Sequence, residues 1–306
     1  MIFVRPMRDS DCEKAAEILV SAFAQVYRQR GHMPPFPNIE SAIWLCRAYL
    51  ELDPDGCLVA EVGGGASLVG VGFVHIRGAV ASIGPLAARP GSQRGVGRAL
   101  MAHLTAMTRH CASRRLFHDS FNPDSFGLYT QLGYQVRDVA PYLMTSDIVP
   151  TPVPVPGIRA FRSEDLPSIE EFDRQMTGAD RARDLALLLS TGTLLVCERD
   201  GDALSENPST SSSPIEGFVF LRSLPARAII GPALATSELV LADLLDAACQ
   251  ALPGRAAVMR ASASAPLVLK RAFERGFRVD HLGNLMVEGS TSLPPAQLYA
   301  LFPESL

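Results

Sequence analysis

Gly95 and Gly97, set between Arg94 and Arg98, stand where an apolar run turns into a helical pattern, in Ala79-Val-Ala-Ser-Ile-Gly-Pro-Leu-Ala-Ala-Arg-Pro-Gly-Ser-Gln-Arg-Gly-Val-Gly-Arg-Ala-Leu-Met101. Glycine omits the Cβ where something must come close to the backbone. The first amides of a helix have no acceptor within it, so a glycine-rich helix start is an anion site. The arginines add positive charge beside it. The pattern predicts a strand, a turn at Arg89-Pro90-Gly91, and a helix from about Gln93 to Cys111 with both glycines in its first turn. The chemistry served would be the binding of a phosphate; a plain strand-to-helix turn uses the same glycines.

The elements that must position this segment occur twice. Val4-Arg-Pro-Met-Arg-Asp-Ser-Asp11 reads as a strand running into a helix capped at Asp9 or Ser10, and Ile158-Arg-Ala-Phe-Arg-Ser-Glu-Asp165 repeats the signal 154 residues later. Leu58-Val-Ala-Glu61 is echoed by Leu195-Val-Cys-Glu198, and Ile83-Gly-Pro85 by Ile230-Gly-Pro232, the latter offset by 147. Each copy then predicts a helix (to about Cys111, and Glu238 to Ala251), a strand (Arg115 to Ser120, and Ala256 to Arg260) and a second helix. That helix closes on a glycine before an aromatic, Gly133-Tyr134 or Gly276-Phe277, which is a C-cap signal. A last strand follows, Val139 to Met144 or Leu282 to Val287.

The copies differ at the glycines, since the second has Ala235-Thr-Ser-Glu-Leu-Val-Leu241 in their place, with Glu238 repelling any phosphate. The first copy has an extra loop, Gly31-His-Met-Pro-Pro-Phe-Pro37, suited to a substrate wall. The second has a polar insertion, Leu204 to Pro214, expected to be a mobile hairpin tip. Alternating prolines from Val149 to Gly157 read as a stiff spacer. Residues 1–149, 150–157 and 158–306 are therefore expected to be a first domain, a linker and a second domain. Pro294 to Phe302 is expected to be a short apolar turn docked on the body of the protein.

Composition limits the alternatives. A length of 306 residues suits about two domains, and a net charge of -4 argues against a nucleic-acid footprint. No run is long enough to span a bilayer, and the start does not read as a signal peptide, so a cytoplasmic protein with no membrane partner is expected. The six cysteines form no C-x-x-C pair and read as buried thiols, with no metal site.

Taken together, Ile83-Gly-Pro-Leu-Ala87, Gly95-Val-Gly-Arg-Ala-Leu-Met101 and Phe121-Asn-Pro-Asp-Ser-Phe-Gly-Leu-Tyr-Thr-Gln-Leu-Gly-Tyr134 resemble the GCN5-related N-acetyltransferase (GNAT) superfamily. More narrowly, the chain is similar to bacterial tandem proteins with an intact first domain and a degenerate second. The resemblance implies an α/β (α+β) fold: two tandem domains, each a mixed, mostly antiparallel sheet flanked by helices with a splayed central strand pair. It implies acetyl-CoA as co-substrate, its pantetheine arm paired to the backbone of Leu86, Ala87 and Ala88 and its pyrophosphate on Gln93, Arg94, Gly95, Val96, Gly97 and Arg98. The family pattern puts Gln or Arg three residues before the first glycine; here Ser92 holds that place and the glutamine comes one later.

By the same resemblance Asn122 and Ser125 contact the cofactor, and Tyr129 stands near the thioester sulfur, where its hydroxyl can protonate the departing thiolate. The attacking amine must lose a proton. The family often uses a carboxylate on the strand before the Gly-Pro segment, and none lies between Gly70 and Pro85. His75 occupies that strand, and an imidazole is the kind of side chain that suits the task; His118 and Asp119 are the other candidates, expected on opposite faces. Trp44 and Tyr27, on the helices that roof the acceptor site, are expected to be core. The activity implied is acetyl transfer to a primary amine of a small molecule or peptide in a ternary complex, by a monomer or homodimer. The alternative is a non-catalytic module that binds CoA or another metabolite.

Overall fold

The computed structural model describes all residues except 64–66, 152–153, 199–214, 291–292 and 301–306. The Leu204 to Pro214 insertion lies outside the described residues. In chain order the elements are β1 (Phe3–Pro6), α1 (Cys12–Gln29), α2 (Ile39–Leu52), β2 (Cys57–Val62), β3 (Ser67–Arg77), β4 (Val80–Ala88), α3 (Val96–Met107), β5 (Ser113–Asp119), α4 (Pro123–Gln131) and β6 (Gln135–Thr145). There follow β7 (Ile158–Ala160), α5 (Leu166–Thr177), α6 (Ala182–Thr191), β8 (Thr193–Glu198), β9 (Ile215–Ser223), β10 (Ala228–Ala235), α7 (Glu238–Ala251), β11 (Ala257–Ala261), α8 (Pro266–Glu274), β12 (Arg278–Gly289) and β13 (Ala296–Tyr299).

The described residues form two compact units, one of 1–137 with 285–290, the other of 138–284 with 293–300. In the first, β1 to β4 pair antiparallel in sequence order. β4 and β5 pair in parallel over Val80–Ser82 and Ser113–Arg115. Helices α1 and α2 cover one face, packing Leu19, Leu45 and Tyr49 on Val59, Val71 and Phe73. Helix α3 packs Leu100, Met101 and Leu104 with Ile83 and Leu116 in a separate cluster that also holds Tyr129 of α4. Gly70 makes room for α3, because a Cβ there would lie 2.5 Å from Val96 Cγ1. Gly217 does the same for α7, since a Cβ there would lie 2.9 Å from Leu244 Cδ1.

Each unit takes in a strand end from the other half of the sequence. Residues 142–145 of β6 pair with β11 in the second unit, and the end of β12 lies beside β5 in the first, where Glu288 pairs with Arg114 and Ser290 N donates to Ala112 O at 2.8 Å. Sequence reading kept each last strand within its own copy. Two copies of one unit offer equivalent sheet edges, so local sequence does not say which copy a strand joins.

The repeat is also visible in its ion pairs. Arg5 donates to both carboxylate oxygens of Asp11 (2.7 and 3.0 Å) and to Glu61, and Asp11 accepts Arg8 N at 2.8 Å. Arg159 grips Asp165 (2.7 Å to each oxygen) and Glu198, and Asp165 accepts Arg162 N at 2.7 Å. The expected cap at Asp9 or Ser10 is thus corrected: the carboxylate that turns the chain into α1 is Asp11, because Arg5 holds it in place. Gly133 and Gly276 adopt φ of 92° and 87°, and Tyr134 N and Phe277 N reach back to Tyr129 O and Ala272 O at 3.1 and 3.0 Å. These are the C-caps read from sequence.

All six cysteines are buried, and burial pushes the Cys46 and Cys249 thiols up to about 12. Among the described residues no helix is long and apolar enough to cross a membrane. The segment after Pro294, expected to be a docked turn, is strand β13 within the second unit, paired with both β10 and β11.

Candidate functional site in the first unit

Strand β4 keeps β5 as its parallel neighbour only as far as Ser82. Beyond the register shift against β3 between Gly72 and Val74, Leu86, Ala87 and Ala88 pair with Gly72, Val71 and Gly70 on the β3 side. The Gly84-Pro85 bond is cis and lies at this parting. The turn after β4 is closed by Ser92 N donating to Arg89 O at 3.0 Å, and Gln93 and Arg94 lead, exposed, into Gly95.

Helix α3 begins at Val96, three residues later than read from the sequence, and ends at Met107. Gly95 is its N-cap, with φ 97° and no capping side chain. That left-handed geometry costs a residue with a Cβ about 1–2 kcal/mol, which is why glycine stands here. Ala99 N donates to Gly95 O at 2.9 Å as the first helical bond, so the amides of Val96, Gly97 and Arg98 have no acceptor within the helix. A Cβ on Gly97 would meet only Leu86 of β4 and Leu128 of α4, each at 3.6 Å. The helix start is therefore flanked by the free end of β4 and by α4, to which Arg98 also reaches through Gln131 Oε1 at 2.7 Å. Val96 points its side chain into the core while its amide stays at the helix end.

Asn122 is the N-cap of α4. Its Oδ1 accepts Ser125 N at 3.4 Å, and Ser125 Oγ donates to Asn122 O at 3.2 Å. His118 Nε2 meets the same carbonyl at 2.8 Å, which assigns the proton to Nε2. Burial pushes the His118 imidazole below its ordinary value, against the opposing pull of the Asn122 carbonyl and Asp119. The ring lies edge-on to Tyr129, with centroids 6.2 Å apart. Tyr129 is 8% exposed, and burial, reinforced by Asp119, raises its phenol to about 12. Its hydroxyl has no hydrogen-bond partner among the described residues and holds its proton throughout the physiological range.

Asp119 turns the other way, as alternation along β5 predicts, and accepts Tyr27 Oη–H of α1 at 2.6 Å. Around that bond Phe121 packs edge-on to Tyr27 at 4.9 Å, and His32 stacks on Phe121 at 4.7 Å. Phe36 packs on Phe23 at 5.5 Å. The Pro-rich loop is thereby fastened beside β5. Tyr27 is buried as expected, whereas Trp44 is 40% exposed on α2, a correction to its reading as core.

His75 is 1% exposed, with Nδ1 2.5 Å from Asp53 Oδ2 and its ring edge-on to Tyr49 at 4.4 Å. Arg77 binds the same carboxylate at 2.9 and 2.8 Å. Burial alone would raise Asp53; the His75 and Arg77 donors outweigh it and hold the carboxyl well below the usual range. His75 Nε2 is buried with no partner among the described residues. Sequence reading missed Asp53 and Arg77, whose only signal is an acid just after α2 and an arginine two places beyond His75. His75 and His118 belong to different clusters, on Tyr49 and on Tyr129 respectively.

A mixed, mostly antiparallel sheet flanked by helices, with one parallel pair that parts, is the fold of the GNAT superfamily. Residues 15–134 match the model of the acetyltransferase (GNAT) family. The protein is accordingly an acyltransferase of the N-acetyltransferase type, with acetyl-CoA as co-substrate. No curated protein matches the chain. Among solved structures it is similar to a candidate acetyltransferase from Pyrococcus horikoshii (22% identity, TM-score 0.73, 97% of this chain and 92% of that one). It is also similar to a GCN5-related N-acetyltransferase from Sphaerobacter thermophilus (16%, 0.61, 96% and 98%). A tandem GNAT protein from the clavulanic acid biosynthesis pathway aligns over 95% of this chain and 100% of its own (15%, 0.61). At these identities the likeness concerns the fold, and it extends over both units.

Proposed function

We propose that the first unit moves the acetyl group of acetyl-CoA directly to a primary amine of a small molecule or peptide in a ternary complex. The observation that carries this is the uncapped start of α3, with three open amides next to the end of β4 and beside Leu128 and Gln131 of α4, the helix that carries Tyr129. Amides from Gln93 to Arg98 receive the pyrophosphate, with Arg94 adding charge. The edge of Leu86, Ala87 and Ala88 away from β3, which pairs with no described strand, takes the pantetheine arm, and Asn122 and Ser125 line its far side. Acetyl-CoA brings an activated thioester carbonyl; the chain orients it and manages two protons.

The amine nitrogen attacks the thioester carbon, the C–S bond breaks, and the thiolate takes the Tyr129 proton, which the raised pKa keeps available. The amine's surplus proton goes to an imidazole. His118, kept neutral by burial and next to Tyr129, is placed for this through a water; His75 is held by Asp53 with Nε2 open for the same task from the other cluster. The loop Gly31 to Pro37 and the Tyr27–Asp119 pair form the acceptor wall.

The test is thiol release with acetyl-CoA over a panel of amines, aminoglycosides and peptides, for the wild type and Tyr129→Phe. Turnover that falls about 10²-fold or more in Tyr129→Phe, with cofactor affinity retained, supports the reading. Tight binding with no turnover across the panel would replace it with a binding module.

A further inference from the structure

The second unit repeats the parting of strands and closes it from within. Strands β10 and β11 pair in parallel at Ala228–Ala257 and Ile229–Val258. These are the counterparts of Ala81–Arg114 and Ser82–Arg115 in the first unit. The cis Gly231-Pro232 bond and a register shift against β9 follow, as cis Gly84-Pro85 and its shift do in the first unit. In the first unit no described strand enters the gap. In the second, β13 does. It runs antiparallel to β10 through Ala233–Leu298, Leu234–Gln297 and Ala235–Ala296, and antiparallel to β11 through Arg260–Tyr299 and Ala261–Leu298.

The 147-residue offset set by the two Ile-Gly-Pro segments makes Ala233, Leu234 and Ala235 the counterparts of Leu86, Ala87 and Ala88. The edge of β10 that would hold a pantetheine arm is thus paired to the chain's own backbone. Ala296, Leu298 and Tyr299 are each at most 4% exposed, and Tyr299 Oη donates to Asp138 Oδ2 at 2.5 Å. The adjoining helix is closed as well: Ser237 Oγ accepts Val240 N at 3.3 Å, and Glu238 Oε1 takes the Leu267 and Val268 amides of α8 at 2.5 and 3.2 Å. A strand fills the slot, the Ser237 hydroxyl caps one amide of the helix start that would bind phosphate, and the Glu238 carboxylate puts a negative charge on that helix's first residue while it caps α8.

We propose that the gap between β10 and β11 is a strand socket whose ligand is residues 296–299 of the same chain, so that the protein binds a single acyl-CoA and keeps this strand seated during turnover. The single-site part rests on the reading of β4 and α3 given above. Strand addition of this kind is held by main-chain hydrogen bonds. Seating it from within the chain removes the loss of translational freedom that an outside ligand would incur.

Two measurements on the full chain test this: calorimetric titration with acetyl-CoA, and amide hydrogen exchange with and without it. The expected results are one acetyl-CoA per chain, bound on the order of a hundredfold more weakly in Gly95→Asp, and amides of 296–299 slowed at least ~100-fold relative to an open chain. Those rates should be unchanged by acetyl-CoA, while amides of 86–98 slow on binding. A second bound acetyl-CoA, or faster exchange at 296–299 when acetyl-CoA is added, would overturn the proposal. Open-chain exchange at 296–299 without ligand would overturn it too. If acetyl-CoA protects nothing in 86–98, the site reading of the first unit fails, while slow exchange at 296–299 still upholds the socket.

Discussion

Gly95 allows the proposed cofactor role of α3 to be separated from its structural role, because two substitutions order the two properties differently. Its φ of 97° and the lone neighbour of an added Cβ, Ile2 Cδ1 at 3.7 Å, make the penalty for Ala one of backbone strain and not of space. That strain is about 1–2 kcal/mol. Asp tolerates left-handed backbone better and its carboxylate caps the open amides, a gain of about 1 kcal/mol, so Gly95→Asp should lose less stability than Gly95→Ala. The same carboxylate lies where a phosphate would bind. At ~5 Å, with an effective dielectric constant of about 20, one pair of like charges costs about 3 kcal/mol, which is on the order of a hundredfold in affinity. Stability should therefore run wild type, Asp, Ala, and acetyl-CoA affinity wild type, Ala, Asp. Urea unfolding and calorimetric titration measure the two orders. If affinity simply follows stability, or Asp binds as well as Ala, the anion site at α3 is refuted.

Other expectations follow from the same geometry. Gly70→Ala should lose about 1–3 kcal/mol in urea unfolding by driving a Cβ into Val96 and the Ala87 carbonyl. Asp11 and Asp165 are held low chiefly by the hydrogen bonds of Arg5 and Arg159. A depressed carboxylate stabilises the fold fully above its unfolded value of about 3.9 and loses that contribution as pH falls through the folded value. Asp11→Asn should therefore lower stability at pH 7 and flatten its decline below about pH 4 in acid titrations followed by circular dichroism. His118, depressed by burial, likewise stabilises the fold above about 6.5 and ceases to as pH falls; a His118→Gln variant should show a shallower stability slope between about pH 6.5 and 5. Asp53→Asn leaves His75 without its partner. If His75 is the base, kcat should fall and the acid limb of the pH–rate profile should move; a change in unfolding alone would assign the cluster to structure.

The duplication, the C-caps at Gly133 and Gly276 and the burial of the cysteines were all legible in the sequence. Each depends on local backbone geometry or on a short apolar pattern that repeats at a fixed offset. The bare start of α3 was legible for the same reason, since a chain that leaves its first amides open needs glycine at a left-handed cap wherever it folds. What tertiary structure decided was partnership. It paired Arg5 with Asp11 and Glu61, set Asp53 and Arg77 around His75, and turned Asp119 to Tyr27 while His118 faced Tyr129; these contacts join residues distant in the chain that have no shared period. It also assigned the ends of β6 and β12 to units outside their own copies, and turned a short segment after Pro294 into β13. A strand's pattern says which of its faces is buried but not which edge it joins, because backbone hydrogen bonds are the same for every partner. For that reason no described strand enters one copy's gap, while the other's is filled by its own chain.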